Sequence, residues 1–112
     1  MVDRKFQARY LGYTLGNPAA CSGQKSSSEL ILTGRGLLAS ILLLTDGSND
    51  ATLTVYDNTA ASGKIVRKFK VLASEEFGGT ILPYPIYMEN GIYVAVSGTG
   101  ATYIIDYINR TL

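Results

Sequence analysis

The feature that most constrains the fold is an alternation of apolar and polar residues with a period of two. Residues 51–57, ATLTVYD, place Leu53 and Val55 on one side of a strand and Thr52 and Thr54 on the other. Such alternation is typical of a strand with one face on a core, whereas a helix needs apolar residues three and four positions apart. Helical spacing is not convincing anywhere in the sequence. We therefore expect an all-β fold.

Turn-forming residues divide the chain into about eight short strands, which predicts an antiparallel, jelly-roll-like β-sandwich. Asn90 and Gly91 suit a type I′ turn and predict a hairpin. Because proline cannot donate to a ladder, we expect an edge, a corner or a loop around Pro83 and Pro85. The predicted strands are residues 6–13, 29–33, 37–45, 51–57, 64–72, the two arms of the hairpin in 86–94, and 101–108.

A chain of 112 residues has the size of a single domain. We assign residues 36–108 to the sandwich core and residues 1–35 to an N-terminal strand followed by a flexible loop or arm. The loop prediction rests on residues 14–28, TLGNPAACSGQKSSS, which are rich in Gly, Ser, Ala and Pro. A loop of that length in a small domain is usually functional or disordered.

Two predicted strands carry apolar residues on both faces. In residues 37–44 both alternating sets are leucine-rich, and in residues 101–108 Ile104 and Ile108 share a face with Asp106. A sandwich needs only one inner face per strand. We expect the other face to be covered by a second subunit or by loops of the same chain.

Composition argues against several classes of function. Ten basic and nine acidic residues give a net charge of +1, so there is no global field to attract nucleic acid or an anionic membrane. Cys21 is the only cysteine and histidine is absent, which leaves no internal disulfide, no zinc cluster and no base for a cysteine nucleophile. We expect no enzyme activity, no cofactor and no metal.

The N-terminus lacks the apolar region of a signal peptide, and residues 37–44 are too short to cross a bilayer. The sequence therefore predicts a soluble protein made in a reducing compartment.

Residues 58–64, NTAASGK, look like a phosphate-binding loop that ends in Gly-Lys. A Walker A motif has glycine where Asn58 stands and Ser or Thr where Ile65 follows Lys64. The motif also leads into a helix, whose amides bind phosphate, whereas residues 65–71 alternate as a strand. We therefore interpret this stretch as a turn between two strands.

Other polar and aromatic residues leave two interpretations open. Asp46 and Asp50 bracket a turn and are explained by turn chemistry or by a weak calcium site. Lys68 and Lys70 share a face, either to protect an edge strand or to meet an acidic partner. The eight tyrosines are ordinary half-buried strand residues or a surface for sugars or proteins; three of them, Tyr84, Tyr87 and Tyr93, are close in sequence.

Three segments carry a likeness to a known group: LTVYDNTAASGKIV (53–66), GLLASILLLTDGSNDA (36–51) and GIYVAVSGTGATYIIDYI (91–108). They resemble small β-sandwich virion proteins of tailed bacteriophages, in which a strand ending in Val-Tyr-Asp meets a small-residue loop and returns as a strand. The resemblance extends over residues 36–108. It is nearest to capsid decoration, cement or staple proteins of short-tailed phages.

The resemblance implies a structural virion protein that stabilises a capsid by clamping neighbouring major capsid subunits. It implies a homo-oligomer, dimer or trimer, on the outer capsid surface after synthesis in the host cytoplasm. Head-fibre and head–tail accessory proteins share the sandwich and remain alternatives, as does a carbohydrate-binding sandwich. The residues that we assign to capsid or oligomer contacts are Arg4, Lys5, Arg9, Tyr84, Tyr87, Ile104 and Ile108. Truncation of residues 1–28 is expected to abolish capsid binding without unfolding the sandwich.

Overall fold

The strands are paired as one long hairpin that has been rolled up. The computed structural model describes residues 19–109, and all of its strand pairs are antiparallel. The nested pairs are β1 (Ala20–Cys21) with β8 (Thr102–Asn109), β2 (Glu29–Thr33) with β7 (Gly91–Ser97), β3 (Gly36–Leu44) with β6 (Phe77–Met88), and β4 (Ala51–Tyr56) with β5 (Ile65–Val71).

Two further pairings, β3 with β8 and β4 with β7, complete two four-stranded sheets. Sheet A has the order β1-β8-β3-β6 and sheet B has the order β2-β7-β4-β5. Among connected strands only β4 and β5 are neighbours in one sheet, and every other connection crosses between the sheets. Two sheets formed from one rolled hairpin are a jelly roll, so the predicted antiparallel sandwich is confirmed. The one helical segment of the described residues is a 3₁₀ turn, Ala73–Glu75.

A bulge in β3 decides which of its side chains enter the core. Leu38 and Ser40 pair with consecutive residues of β8, so Ala39 is an extra residue. The alternation shifts by one position there. As a result Leu38 before the bulge and Ile41 and Leu43 after it are all at most 2% exposed. Strict alternation places Leu38 on the opposite face from Ile41, and this expectation is wrong because of the bulge.

The core between the sheets is made of inward-facing residues from seven of the strands and from the turn before β8. It comprises Leu32, Leu38, Ile41, Leu43, Ala51, Leu53, Val55, Val71, Met88, Ile92, Val94, Ala101, Tyr103 and Ile105.

Asn90 and Gly91 join the two sheets and do not form a hairpin. β6 belongs to sheet A and β7 to sheet B, so the two strands are not paired. The amides of Glu89 and Asn90 donate to the buried carboxylate of Asp57 at 3.1 and 2.8 Å. A Cβ on Gly91 would lie 2.6 Å from the carbonyl oxygen of Leu32, so glycine is needed for this close approach. The predicted type I′ hairpin is therefore wrong.

The stretch that looks like a phosphate-binding loop is the turn of the β4–β5 hairpin. The Asp57 amide donates to the Lys64 carbonyl at 3.0 Å, and the side-chain amide of Asn58 donates to the Ser62 carbonyl at 2.9 Å. Gly63 has φ of +85°, which a side chain would disfavour. Strand β5 follows directly, and the predicted arrangement of strand, turn and strand is confirmed.

The prolines lie in an edge strand, as predicted. β6 is the last strand of sheet A. Its pairing with β3 breaks after Ile81 and resumes at Ile86, so four residues that include Pro83 and Pro85 bulge opposite a single residue of β3. A bulge and two residues without an N–H prevent regular pairing along this half of β6.

The loop predicted over residues 14–28 is partly a sheet edge. Ala20–Cys21 form β1 against β8, and Lys25 forms a further bridge to Tyr103. The hydroxyl of Tyr103 donates to the Ser27 carbonyl at 2.7 Å. Residues 14–18, and the predicted strand over 6–13, lie outside the described residues. Removal of residues 1–28 would therefore delete β1 and the partner of a core tyrosine.

We predict a pH-dependent role for the Tyr103 hydroxyl. Burial, with a smaller contribution from the charge of Glu29, raises the pKa of Tyr103 to about 12, above the ordinary value near 10. An unfolded chain therefore loses this proton first, and the contribution of Tyr103 to stability is complete below pH 10 and declines between pH 10 and 12. Tyr103→Phe should cost about 1 kcal/mol at pH 8.

Urea unfolding at pH 8 and at pH 11 measures both effects. The stability difference between wild type and Tyr103→Phe should shrink by about 1 kcal/mol at the higher pH. The same difference at the two pH values would contradict the assignment.

Candidate protein-docking surface

The outer face of sheet A, which points away from the core, is largely apolar. Residues that lie opposite each other on neighbouring strands share a face, so the strand register assigns this surface directly. It consists of four rows across β6, β3 and β8: Phe77–Leu44–Thr102, Gly79–Leu42–Ile104, Ile81–Ser40–Asp106 and Tyr87–Leu37–Ile108.

Exposed apolar area is concentrated on β6. Among residues 19–109, seven large hydrophobic residues are exposed, and four of them belong to this strand. Phe77, Ile81, Tyr84 and Tyr87 are 63, 82, 86 and 50% exposed. Clustered apolar exposure of this kind marks interaction sites, whereas single exposed residues do not. The outer face of sheet A and its β6 edge are therefore the candidate docking surface.

The structure brings together three of the residues predicted for contacts. Tyr87, Ile104 and Ile108 all lie on the outer face of sheet A. Tyr84 lies beside them in the proline bulge. Ile108 is only 5% exposed and offers little contact area, whereas Ile104 is partly buried. Arg4, Lys5 and Arg9 lie outside the described residues.

The tyrosines that are close in sequence do not form one cluster. Tyr93 lies on sheet B, where it contacts Tyr56 edge to face with ring centroids 6.5 Å apart. Tyr84 and Tyr87 lie on sheet A. A hydrogen bond to the carboxylate of Glu89 raises the pKa of Tyr87.

One polar pair interrupts the apolar face. The Ser40 hydroxyl donates to the Asp106 carboxylate at 2.7 Å, and this pair is partly buried in the third row. The hydrogen bond satisfies one oxygen of Asp106. A partner that covers the face must supply a donor for the remaining acceptor sites, because a buried carboxylate without partners is costly.

Phe77 and Ile81 belong to this surface but were not predicted from the sequence. Leu42 and Leu44 lie in residues 37–44, where apolar residues on both faces were expected to be covered. One pattern could have indicated the first two. Phe77–Met88 runs for twelve residues without a charged side chain, which is unusual for a strand at a sheet edge.

The candidate carboxylates serve the backbone of turns. The amide of Ser48, together with the side chain and amide of Asn49, lowers the pKa of Asp46. The amide of Ala73 lowers the pKa of Asp50, which also lies 3.4 Å from the ammonium of Lys70. Within residues 19–109 no three potential metal-ligating side chains come together.

Sheet B ends in a basic edge next to β6. Lys68 and Lys70 lie on β5, the last strand of sheet B, so their predicted place on an edge strand is confirmed. Between the two edges lies a groove of about 310 Å³, lined by Arg67, Lys68, Phe69 and Gly79. The edge strands β5 and β6 also come close at Gly78, where a Cβ would lie 2.8 Å from the Val71 side chain.

No helix in the described part of the chain has the length and apolar character needed to cross a membrane. Comparisons with protein-family models, with curated proteins and with solved structures found no match.

We predict that the exposed aromatic residue at the end of the face contributes little to folding. Phe77→Ser should change the free energy of unfolding by less than about 0.5 kcal/mol, because most of the side chain is already in water. The same change at Phe69, which packs against the core, should cost about 2 kcal/mol or more.

Urea unfolding compares the two variants, and ammonium sulfate precipitation measures solubility. Phe77→Ser should be more soluble than wild type. A loss of stability equal to that of Phe69→Ser would show that Phe77 serves the core instead of the surface.

Proposed function

We propose that this protein is a structural virion component that binds the outer surface of a phage capsid. The observation that carries the proposal is the apolar outer face of sheet A, which ends in the exposed residues of β6. The resemblance of residues 36–108 to phage decoration proteins suggests the kind of partner, namely neighbouring major capsid subunits. A jelly roll is also a common architecture of capsid and lectin domains.

In this proposal the mechanism is passive. Each copy covers its apolar face with capsid protein, and each Å² of apolar surface removed from water contributes about 25 cal/mol. When one copy binds two neighbouring capsid subunits, the two subunits can separate only if at least one of these contacts is broken. The shell is stabilised because the protein binds the assembled state and not the separated subunits.

The size of the face favours several copies acting together. Strand spacing and rise give the outer face of sheet A a geometric area of roughly 500 Å². The area available to a partner is smaller, because Leu37 and Ile108 on this face are already buried. A stable interface usually buries about 800 Å² on each partner. A dimer or trimer that engages several sites at once would compensate for weak single contacts by avidity. The limited size of this face supports the proposed homo-oligomer.

A second candidate is a carbohydrate-binding sandwich, favoured by Tyr84. The Tyr84 side chain is 86% exposed in the proline bulge and could stack on a sugar ring. A glycan array with wild type and Tyr84→Ala tests this function, because wild type should bind a sugar on the array and the variant without the ring should lose that binding. A head-fibre or head–tail accessory role would use the same protein-binding surface on another part of the particle.

The test is binding to purified shells of the phage whose genome encodes the chain. The double variant Phe77→Ser/Tyr87→Ser removes exposed area at both ends of the face and should weaken shell binding at least tenfold. Ile65→Ser is the matched control, because Ile65 is 50% exposed on sheet B, and its binding should stay within twofold of wild type.

Quantitative sedimentation of shells with bound protein measures occupancy. Absence of saturable binding by wild type would overturn the capsid role. Equal binding by the double variant and the control would move the contact away from the outer face of sheet A.

The contribution of the N-terminal residues is tested separately. Deletion of residues 1–18 removes Arg4, Lys5 and Arg9 and spares β1. We expect lower shell occupancy, because these cations are assigned to contacts with a neighbour. Normal occupancy would remove the N-terminal segment from the proposed interface.

A further inference from the structure

Asp106 is the single charged residue in the four rows that form the outer face of sheet A. Its neighbours along β8 on this face are Ile104 and Ile108, and Ser40 lies opposite it on β3. On the other side of β8, Cys21 of β1 lies opposite Asp106. A carboxylate therefore lies in the middle of a face that is otherwise uncharged and largely apolar.

The hydrogen-bonding capacity of this carboxylate is only partly used. Asp106 is partly buried, and its Oδ2 atom accepts the Ser40 hydroxyl at 2.7 Å. Within residues 19–109, neither of the two ion pairs includes Asp106. A carboxylate offers about four acceptor sites, so most of them are left for water or for a partner.

Covering the face changes the energetics of this charge. A partner that removes the water leaves the carboxylate in apolar surroundings, where an uncompensated charge is costly. A neutral donor fills an acceptor site but does not offset the charge. An ammonium or a guanidinium does both, and a guanidinium can donate two parallel N–H bonds to one carboxylate. A partner of this face therefore needs a basic side chain at Asp106.

The charges at the Phe77 end of the face have the same sign as Asp106. Asp46 and Glu76 line a cavity of about 290 Å³ there, together with Leu44 and Phe77. Both carboxylates are exposed, and neither belongs to an ion pair among the described residues. None of the described residues that line the cavity is basic. The centre and this end of the face are therefore complementary to a partner that carries positive charge.

We propose that Asp106 determines the specificity of the outer face of sheet A, and that its partner is a protein segment with an arginine or lysine between apolar residues. The cation pairs with the Asp106 carboxylate, and the flanking side chains cover Ile104 and Leu42. The inference rests on the proposed function, because it names the chemistry of the segment that a capsid subunit would present. Apolar burial supplies affinity, and the charge pair selects the partner.

A second copy fits this face less well. Two outer faces of sheet A packed on each other would bring two Asp106 carboxylates into one interface, where like charges repel. The outer face of sheet B does carry a cation, because Lys68 lies there opposite Thr54 and belongs to no ion pair within residues 19–109. Its neighbours on that face include Thr52 and Lys70, so this contact would bury little apolar surface.

The first measurement is the binding of Asp106→Asn to purified shells. Asparagine has nearly the same shape and keeps an acceptor for the Ser40 hydroxyl, but it removes the charge. Shell binding should weaken at least tenfold, because the cation of the partner would be buried without a counter-charge. Glu29→Gln is the matched control, since it removes the same charge from β2 of sheet B, and it should bind within twofold of wild type. The urea midpoint of Asp106→Asn should be no lower than that of wild type.

The second measurement needs no shells. Two blocked pentapeptides, Val-Leu-Arg-Leu-Val and the same peptide with citrulline in place of arginine, differ by one positive charge and have nearly the same shape. In a chemical-shift titration of the full chain, the arginine peptide should shift amide signals of β8 and bind at least fivefold more tightly than the citrulline peptide. Asp106→Asn should bind the two peptides equally.

Two results would overturn the assignment of Asp106. They are equal binding of the two peptides by wild type, and shell binding by Asp106→Asn that equals that of Glu29→Gln. If wild type binds shells in the second case, the capsid role stands and only the assignment is refuted. A preference of wild type for the arginine peptide without saturable shell binding refutes the capsid role and leaves the assignment of Asp106 standing.

Two other results would overturn the choice of partner. A wild-type oligomer in sedimentation that both Asp106→Asn and Lys68→Gln dissociate would assign Asp106 to sheet B of a second copy. Tighter binding of the arginine peptide by a full chain with glutamine at Arg4, Lys5 and Arg9 would show that cations of this chain already occupy the face.

Discussion

The position of β6 as the last strand of sheet A depends on one buried carboxylate. Asp57 follows β4 in sheet B and accepts two amide hydrogen bonds from the corner between β6 and β7. These bonds help to hold the chain as it leaves sheet A and enters the middle of sheet B. If Asn90 and Gly91 formed a hairpin instead, β7 would pair with β6 and cover its edge. The exposed strand that carries the candidate surface exists because this corner sends β7 elsewhere.

The fold class could be predicted because strand alternation and turn residues are local. The predictions that failed depended on contacts between residues that are distant in the sequence. Asn90 and Gly91 have the same turn preference in a hairpin and in a corner, and only the distant Asp57 decides between them. Ala39 likewise has no sequence property that marks a bulge, yet its insertion moves Leu38 to the core side occupied by Ile41 and Leu43.

The candidate surface could be predicted only for residues that strand alternation alone assigns to a face. Ile104 was found because strand alternation alone assigns it to a face with Ile108. Tyr87 was selected because it is close in sequence to other tyrosines, and the structure puts it on the same face as Ile104. Phe77 and Ile81 could not be assigned, because their exposure follows from β6 being an edge, and the order of strands is set by the whole roll.

The contrast between the two neighbouring edges has an energetic explanation. An uncharged strand at the edge of a sheet promotes aggregation, and natural edge strands are usually protected by charged side chains, proline or bulges. On β5 this protection comes from the charges of Arg67, Lys68 and Lys70. On β6 it comes from the bulge that contains Pro83 and Pro85, because the bulge interrupts regular pairing after Ile81.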